Sequence, residues 1–177
     1  MIRHTGHVFV FGDNINTDYI ISSRRKKDTI NPDELVPYLM EDIRPDFSSM
    51  LKETNVIAAG DDFGCGSAME VAAQVMKSAG VPFILAKSFA RSYFRNAINN
   101  GIIPVEMDTD SISEGDQIQL EMDDTRITVT NFNTGQVVTR PAFTGQLRDI
   151  LVAGGLIPYM RNKNVKAERG EPDERKN

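Results

Sequence analysis

The chain has 177 residues, 40% of them apolar and 25% charged, with a net charge of -5, which is enough for one solid core in a globular protein. The acidity argues against a nucleic-acid binder, and no apolar run reaches the length of a bilayer span. One cysteine, Cys65, excludes an internal disulfide framework and suits a reducing cytoplasm. With only His4 and His7 beside it, an all-cysteine metal or iron–sulfur site cannot be assembled from this chain, so any such group would take most of its ligands from another polypeptide.

In chain order, residues 1–6 have no apolar stretch of the signal-peptide kind, and none is expected. Residues 7–11 are β-branched and aromatic and predict a strand. The turn formers of Gly12-Asp-Asn-Ile-Asn-Thr-Asp18 follow, and Tyr19-Ile20-Ile21 predicts a second short strand. Residues 22–28 form a polar loop carrying four consecutive cations, Arg24-Arg25-Lys26-Lys27. Such a run is either a solvated surface or a loop that reaches over a site and grips carboxylates. Asn31-Pro32-Asp33-Glu34 has the form of a helix start, and Pro37 keeps that helix short; residues 46–51 predict another short helix.

From Val56 the rhythm becomes strand, helix, strand, helix, strand. The strands are residues 56–59, 83–86 and 102–105, and the helices are a stripe running from Ala68 to Ala79 and residues 89–99, closed by Gly101. Helices between strands imply a parallel sheet with right-handed crossovers. Residues 117–122 and 126–130 then alternate with period two about Asp123-Asp124-Thr125, and Asn133-Thr134-Gly135 starts a further hairpin, so residues 116–138 predict an antiparallel section. Residues 143–152 predict a last helix ended by Gly154-Gly155. A domain of residues 1–162 is expected to give way at 163–177 to a charged, disordered tail.

The chemistry concentrates on Gly60-Asp-Asp-Phe-Gly-Cys-Gly-Ser-Ala-Met-Glu70, a strand-to-helix turn of the kind beside which ligands collect in open α/β sheets. Ser67 is expected in the first helical turn, beside unpaired backbone N–H groups. Ser67-Ala-Met-Glu70 also fits a capping box, so its hydroxyl could cap the helix, meet an anion, or do both. A dinucleotide site fits poorly, since the third glycine is missing and the next strand ends in Lys87 rather than an acid. Cys65 reads as an inert buried thiol more readily than as a nucleophile. Arg91 and Arg95 share a helix face, either solvated or turned to the site.

Three stretches in this order and spacing resemble the small subunits of the aconitase-type isomerases: Gly12-Asp-Asn-Ile-Asn-Thr-Asp-Tyr-Ile-Ile21, residues 60–73, and Lys87-Ser-Phe-Ala-Arg-Ser-Tyr-Phe-Arg-Asn-Ala-Ile-Asn-Asn-Gly101. The resemblance spans about residues 7–160 and is nearest to 3-isopropylmalate dehydratase small subunits, with homoaconitase and 2,3-dimethylmalate dehydratase as relatives. It implies an aconitase-type swivelling β/β/α domain, a mixed sheet with a parallel βαβαβ centre and an antiparallel section. It also implies a large partner subunit, in a heterodimer or heterotetramer, that holds a [4Fe–4S] cluster on three of its own cysteines; none is bound by this chain. The implied activity is a hydro-lyase or isomerase acting on a hydroxy di- or tricarboxylic acid, foremost 2-isopropylmalate to 3-isopropylmalate in leucine biosynthesis, with the cluster's iron as Lewis acid. Self-association of the isolated chain is left open.

By the same resemblance Ser67 would be the catalytic base, as an alkoxide stabilised by N–H donors and cations. Gly66, Ala68, Arg91 and Arg95 would contact substrate, and Asp18, Asp62, Cys65 and Met69 would line the site. Active relatives usually read Gly-Ser-Ser-Arg-Glu where this chain reads Gly66-Ser67-Ala68-Met69-Glu70, so the arginine expected to grip a carboxylate is Met69. Arg24 or Arg25, with their bidentate geometry, are the expected replacements. The rival classes are a binding module of the same fold that lost catalysis, for which Met69 speaks, and a nucleotide binder resting on the glycines alone.

Overall fold

The computed structural model describes residues 1–27 and 29–168. Seven strands form one mixed sheet in the order β4-β3-β2-β1-β5-β6-β7. β1 (Ile2–Val10) is shared between two regimes. Its later residues, His7 to Val10, pair in parallel with β2 (Asn55–Ala59), and its earlier ones, Ile2 to His7, pair antiparallel with β5 (Gln117–Met122). The expected βαβαβ centre is present as β2, α4 (Glu70–Ser78), β3 (Phe83–Ala86), α5 (Arg91–Asn99) and β4 (Ile103–Glu106). β4 is an edge strand, which is why it accommodates Pro104. The antiparallel section continues through β6 (Arg126–Asn131) and β7 (Val137–Pro141). The sheet curls enough that Arg140 on β7 donates from Nε to the carbonyl of Glu106 on β4, 3.1 Å away, although the two strands stand at opposite ends of the order.

Strand alternation builds a core on each face. Ile57 and Ala59 pack with Ile84 and Ala86 under Ala72, Ala73, Val75 and Met76 of α4. Their neighbours Val56 and Ala58 turn the other way, toward Leu85, Val105, Leu120 and Val129 and the helix α6 (Gly145–Val152). A continuous apolar run reads as a strand covered on both faces, and β2 is such a run. At its start Asn55 is fully buried; its Oδ1 accepts from the Lys52 N–H at 2.8 Å, and its Nδ2 donates to the carbonyls of Lys52 and Ala79, both at 2.7 Å. Asn55→Ala would remove the partner of three backbone groups, of which the Ala79 bond is buried and the two Lys52 bonds are part-buried, and should cost roughly 2–4 kcal/mol, read as a lower denaturant midpoint at unchanged slope.

Three expectations are corrected. Tyr19-Ile20-Ile21 is not a strand: Asn16 caps a one-turn helix α1 (Thr17–Ile20) by accepting from the Asp18 N–H, and the turn leads Ile20 and Ile21 into the core. The chain then passes a short 3-10 turn (Arg25–Lys27) to α2 (Pro32–Leu35), capped by Asn31, and to α3 (Phe47–Met50). Second, α4 begins only at Glu70, so Ser67 stands three residues before the helix rather than in its first turn. Third, a further helix α7 (Leu156–Glu168) crosses the boundary expected at residue 162, so the tail expected from Lys163 is helical through Glu168. Residues 160–165 are all exposed, so this part of the helix buries no apolar stripe, and Arg161 and Lys163 favour the helix by propensity. The remainder of that expected tail lies outside the described residues.

Candidate active site

The three signature stretches meet at the carboxyl ends of β1, β2 and β3, and the glycine-rich turn lies between the other two. On one side the Asn14 N–H donates to the Asp61 carbonyl at 2.7 Å, the Gly64 N–H to Ile15 at 2.7 Å, and the Thr17 N–H to Cys65 at 2.9 Å. On the other, the Phe63 N–H donates to Ser88 and the Ala90 N–H to Phe63, both at 3.0 Å. The turn therefore behaves as a short extra strand laced to both neighbours, with isolated bridges at Asn16–Cys65 and Phe63–Phe89. Side chains reinforce it. Asp13 Oδ1 accepts from the Asp61 N–H at 2.8 Å, and Ser88 Oγ accepts from the Asp62 N–H at 2.9 Å and donates to Asp61 at 3.0 Å.

Two glycines make the lacing sterically feasible. Gly64 has φ +80°, and a β-carbon there would lie 2.1 Å from the Tyr93 ring; Gly66 has φ +89°, and a β-carbon there would meet the Asn16 amide at 2.5 Å. Asp62 also lies in the left-handed region, at φ +54°, a conformation that aspartate tolerates better than most residues. Its carboxylate is exposed at the rim of the turn.

Gly66, Ser67 and Ala68 form the exposed tip of this structure. The Ser67 carbonyl accepts from Thr17 Oγ1 at 3.0 Å and from the Met69 N–H at 2.8 Å, which fixes the backbone under the serine. The capping box is not formed, because the residue at the cap of α4 is Met69, which makes no side-chain cap bond. Among the described residues the Ser67 hydroxyl has no hydrogen-bond partner. It is thus free for chemistry, close to a helix start whose N–H groups no side chain caps. Ser67 lines neither of two cavities of about 410 and 390 Å³; the first is bounded by Lys87, Glu106, Asp108, Asp110 and Arg140, the second by Arg24, Arg25, Glu41 and Asp42. The serine turn is an open surface.

Of the expected cations, Arg24 pairs with Asp42 at 2.9 Å, and Arg25 makes a two-pronged pair with Glu41, both contacts at 2.8 Å, while stacking 3.9 Å above the Tyr38 ring. That pair holds the Glu41 carboxyl below its ordinary range, chiefly through the hydrogen bond from Arg25. Asp18 anchors the front of the loop, accepting from the Ser23 N–H at 3.1 Å and from the Ser23 hydroxyl. Lys26 reaches the serine turn through Met69. Arg91 opens α5 directly after the laced Ala90, and Arg95 follows one turn later; both are exposed, with no acidic partner among the described residues. Burial first, and then the charge of Asp62, push the Cys65 thiol above its ordinary range. The thiolate therefore forms only at higher pH, and alkylation of Cys65 at neutral pH should be slower than that of free cysteine, as intact-mass spectrometry would show. Sequence reasoning missed Asn16, Thr17, Asp13 and Ser88 as residues that position the turn. Asp13, Asn16 and Thr17 stood inside the first signature stretch and Ser88 inside the third, but no local pattern showed that their side chains bind the turn.

A mixed, curled sheet with helices on its faces and a free serine on a laced glycine turn defines a swivel-type β/β/α domain. Residues 18–110 match the family model described as the aconitase C-terminal domain, and the chain belongs to that family. Within it, the chain is 42% identical over 164 residues to the 3-isopropylmalate dehydratase small subunit of Heliobacterium modesticaldum, covering 92% of this chain and 97% of the relative. It is 40% identical over 160 residues to the methanogen homoaconitase small subunit of Methanocaldococcus jannaschii, covering 90% and 92%. The crystal structure of 3-isopropylmalate dehydratase from the same organism aligns with a TM-score of 0.87 at 36% identity, over 96% of this chain and 99% of that one.

Proposed function

We propose that this chain is the small subunit of a hydro-lyase that interconverts 2-isopropylmalate and 3-isopropylmalate in leucine biosynthesis, working in the cytoplasm and active only with a large subunit. The observation that carries the proposal is an exposed, unbonded Ser67 hydroxyl on a turn fixed from both sides, in a chain whose relatives are small subunits. Among the described residues no helix is long and apolar enough to cross a membrane. The chain does not itself fit an iron–sulfur cluster, since Cys65 is its one cysteine and the described residues hold no group of three or more histidine, cysteine, aspartate or glutamate side chains placed to bind a metal. A [4Fe–4S] cluster belongs to the large subunit in this reading.

This chain's part is the proton. Ser67, as an alkoxide, takes the hydrogen from the carbon next to a substrate carboxylate. The electron pair of that C–H bond becomes the second bond of an alkene, and the hydroxyl on the adjacent carbon leaves with its C–O bonding pair and takes a proton from solvent to become water. Rehydration in the opposite sense returns the proton from Ser67 and completes the isomerisation. Serine is a weak acid, so its anion needs support. In this reading the support comes from the uncapped start of α4 and from Arg91 and Arg95, exposed on the helix that follows the laced Ala90. An exposed serine tip is what half of a shared active site requires.

The test is to co-express the chain with a large subunit and follow the ultraviolet absorbance of the unsaturated acid from 2-isopropylmalate, homocitrate and 2,3-dimethylmalate. Turnover of isopropylmalate by the complex, and by neither chain alone, is the expected result. Preference for the hydroxy tricarboxylate would transfer the assignment to the homoaconitase branch, which the 40% identical methanogen relative supports.

A further inference from the structure

The cation run was expected to act through its arginines, yet its geometry favours a lysine. Arg24 and Arg25 are held by Asp42 and Glu41 on the segment that follows α2. Lys26, half-buried between them and the turn, extends Nζ into contact with Met69 Sδ. Among the described residues it has no carboxylate partner. A thioether is uncharged and a weak acceptor, whereas an ammonium carries a full charge and three donors. Among the described residues nothing therefore neutralises the Lys26 charge or fills its remaining donors, and that charge rests on Met69, two residues along from Ser67. Met69 itself is packed on the core that lies under α4, which gives the lysine a fixed perch. The loop that carries Lys26 is tied at its front by Asp18, inside the first signature stretch.

We infer that Lys26, perched on Met69, binds one carboxylate of the hydroxy acid and so supplies the positive charge that residue 69 does not. This rests on the hydro-lyase reading above. A lysine is a point charge without a fork, so it holds the carboxylate by attraction and not by a fixed bidentate geometry. The site should then tolerate variation near that carboxylate more readily than an arginine site would.

The test uses the reconstituted two-subunit complex, with assembly of each variant checked by gel filtration. Lys26→Ala should lower kcat/KM on the order of a hundredfold, mainly through a higher KM, as expected for removing one partner of a desolvated charge pair. Lys26→Arg should retain most of the wild-type value. The double variant K26A/M69R, which moves the cation to the turn, should recover at least part of the loss; a merely structural role for Lys26 predicts no such recovery. The inference is overturned if assembled K26A keeps its KM, or if Arg24→Ala or Arg25→Ala raises KM while K26A does not. A wild-type complex without turnover on isopropylmalate, homocitrate or dimethylmalate overturns the hydro-lyase reading, and this inference with it.

Discussion

Ser67→Ala should lower turnover of the assembled complex by about 10²–10⁴-fold, the usual contribution of a positioned proton-transfer group, while assembly and thermal stability stay at wild-type values. The separation is sharp because the structure uses the two halves of this residue differently. Its carbonyl accepts from Thr17 and from the Met69 N–H, and alanine keeps that carbonyl. Its hydroxyl is exposed and caps nothing, since α4 starts at Glu70. A serine that only capped the helix would behave in the opposite way: its loss would lower stability by about 1 kcal/mol and leave turnover largely intact. Kinetics with isotopically labelled substrate give a second readout, because loss of the base should also slow exchange of the substrate's carbon-bound hydrogen with solvent. Undiminished turnover in S67A would remove the serine from the chemistry. If instead the wild-type complex binds the acid without turning it over, the binding-module reading takes the place of the enzyme reading.

The contrast between Ser67 and its surroundings also shows what a sequence of this kind makes legible. The parallel centre could be read because β2, β3 and β4 are short apolar runs separated by helical stripes, and the antiparallel section because residues 117–122 and 126–130 alternate strictly. Capping was legible at Asn31, whose side chain does accept from the Asp33 N–H. The same logic failed at Ser67. A Ser-x-x-Glu pattern states what a cap needs, but the start of α4 was displaced by tertiary bonds, with the turn held extended through Cys65 by α1 and its flanks. It failed again at residues 19–21, where two adjacent isoleucines looked like strand and the Asn16 cap formed a helical turn. At the site, the residue types were readable but their partners were not. Nothing local distinguishes Lys26 from Arg24 or Arg25; the acids at Glu41 and Asp42, brought back by α2 and the turn after it, make that distinction.

Gly64→Ala should destabilise the chain by roughly 2–5 kcal/mol, the sum of a left-handed backbone forced on a residue with a side chain and of overpacking in a filled core. Of a total stability of about 5–15 kcal/mol for a domain, that is a large share, and it should lower the melting temperature on the order of 10 °C. The new methyl would fall 2.1 Å from the Tyr93 ring. That ring is almost fully buried, stacked edge-on against Phe63 with centroids 5.1 Å apart, so it has little room to retreat. The N–H of Gly64 is also one of the bonds that tie the turn to Ile15, so movement to relieve the clash would loosen the support of Ser67. Gly115 separates the two causes. It too has a left-handed φ, +82°, but a β-carbon there meets nothing within 4 Å, so Gly115→Ala should show only the backbone cost of about 1–2 kcal/mol. Equal losses in G64A and G115A would mean that the Tyr93 contact does not constrain the turn. A larger loss in G64A, together with a fall in turnover beyond what its unfolded fraction explains, would establish that the glycine turn positions the serine and does more than connect a strand to a helix.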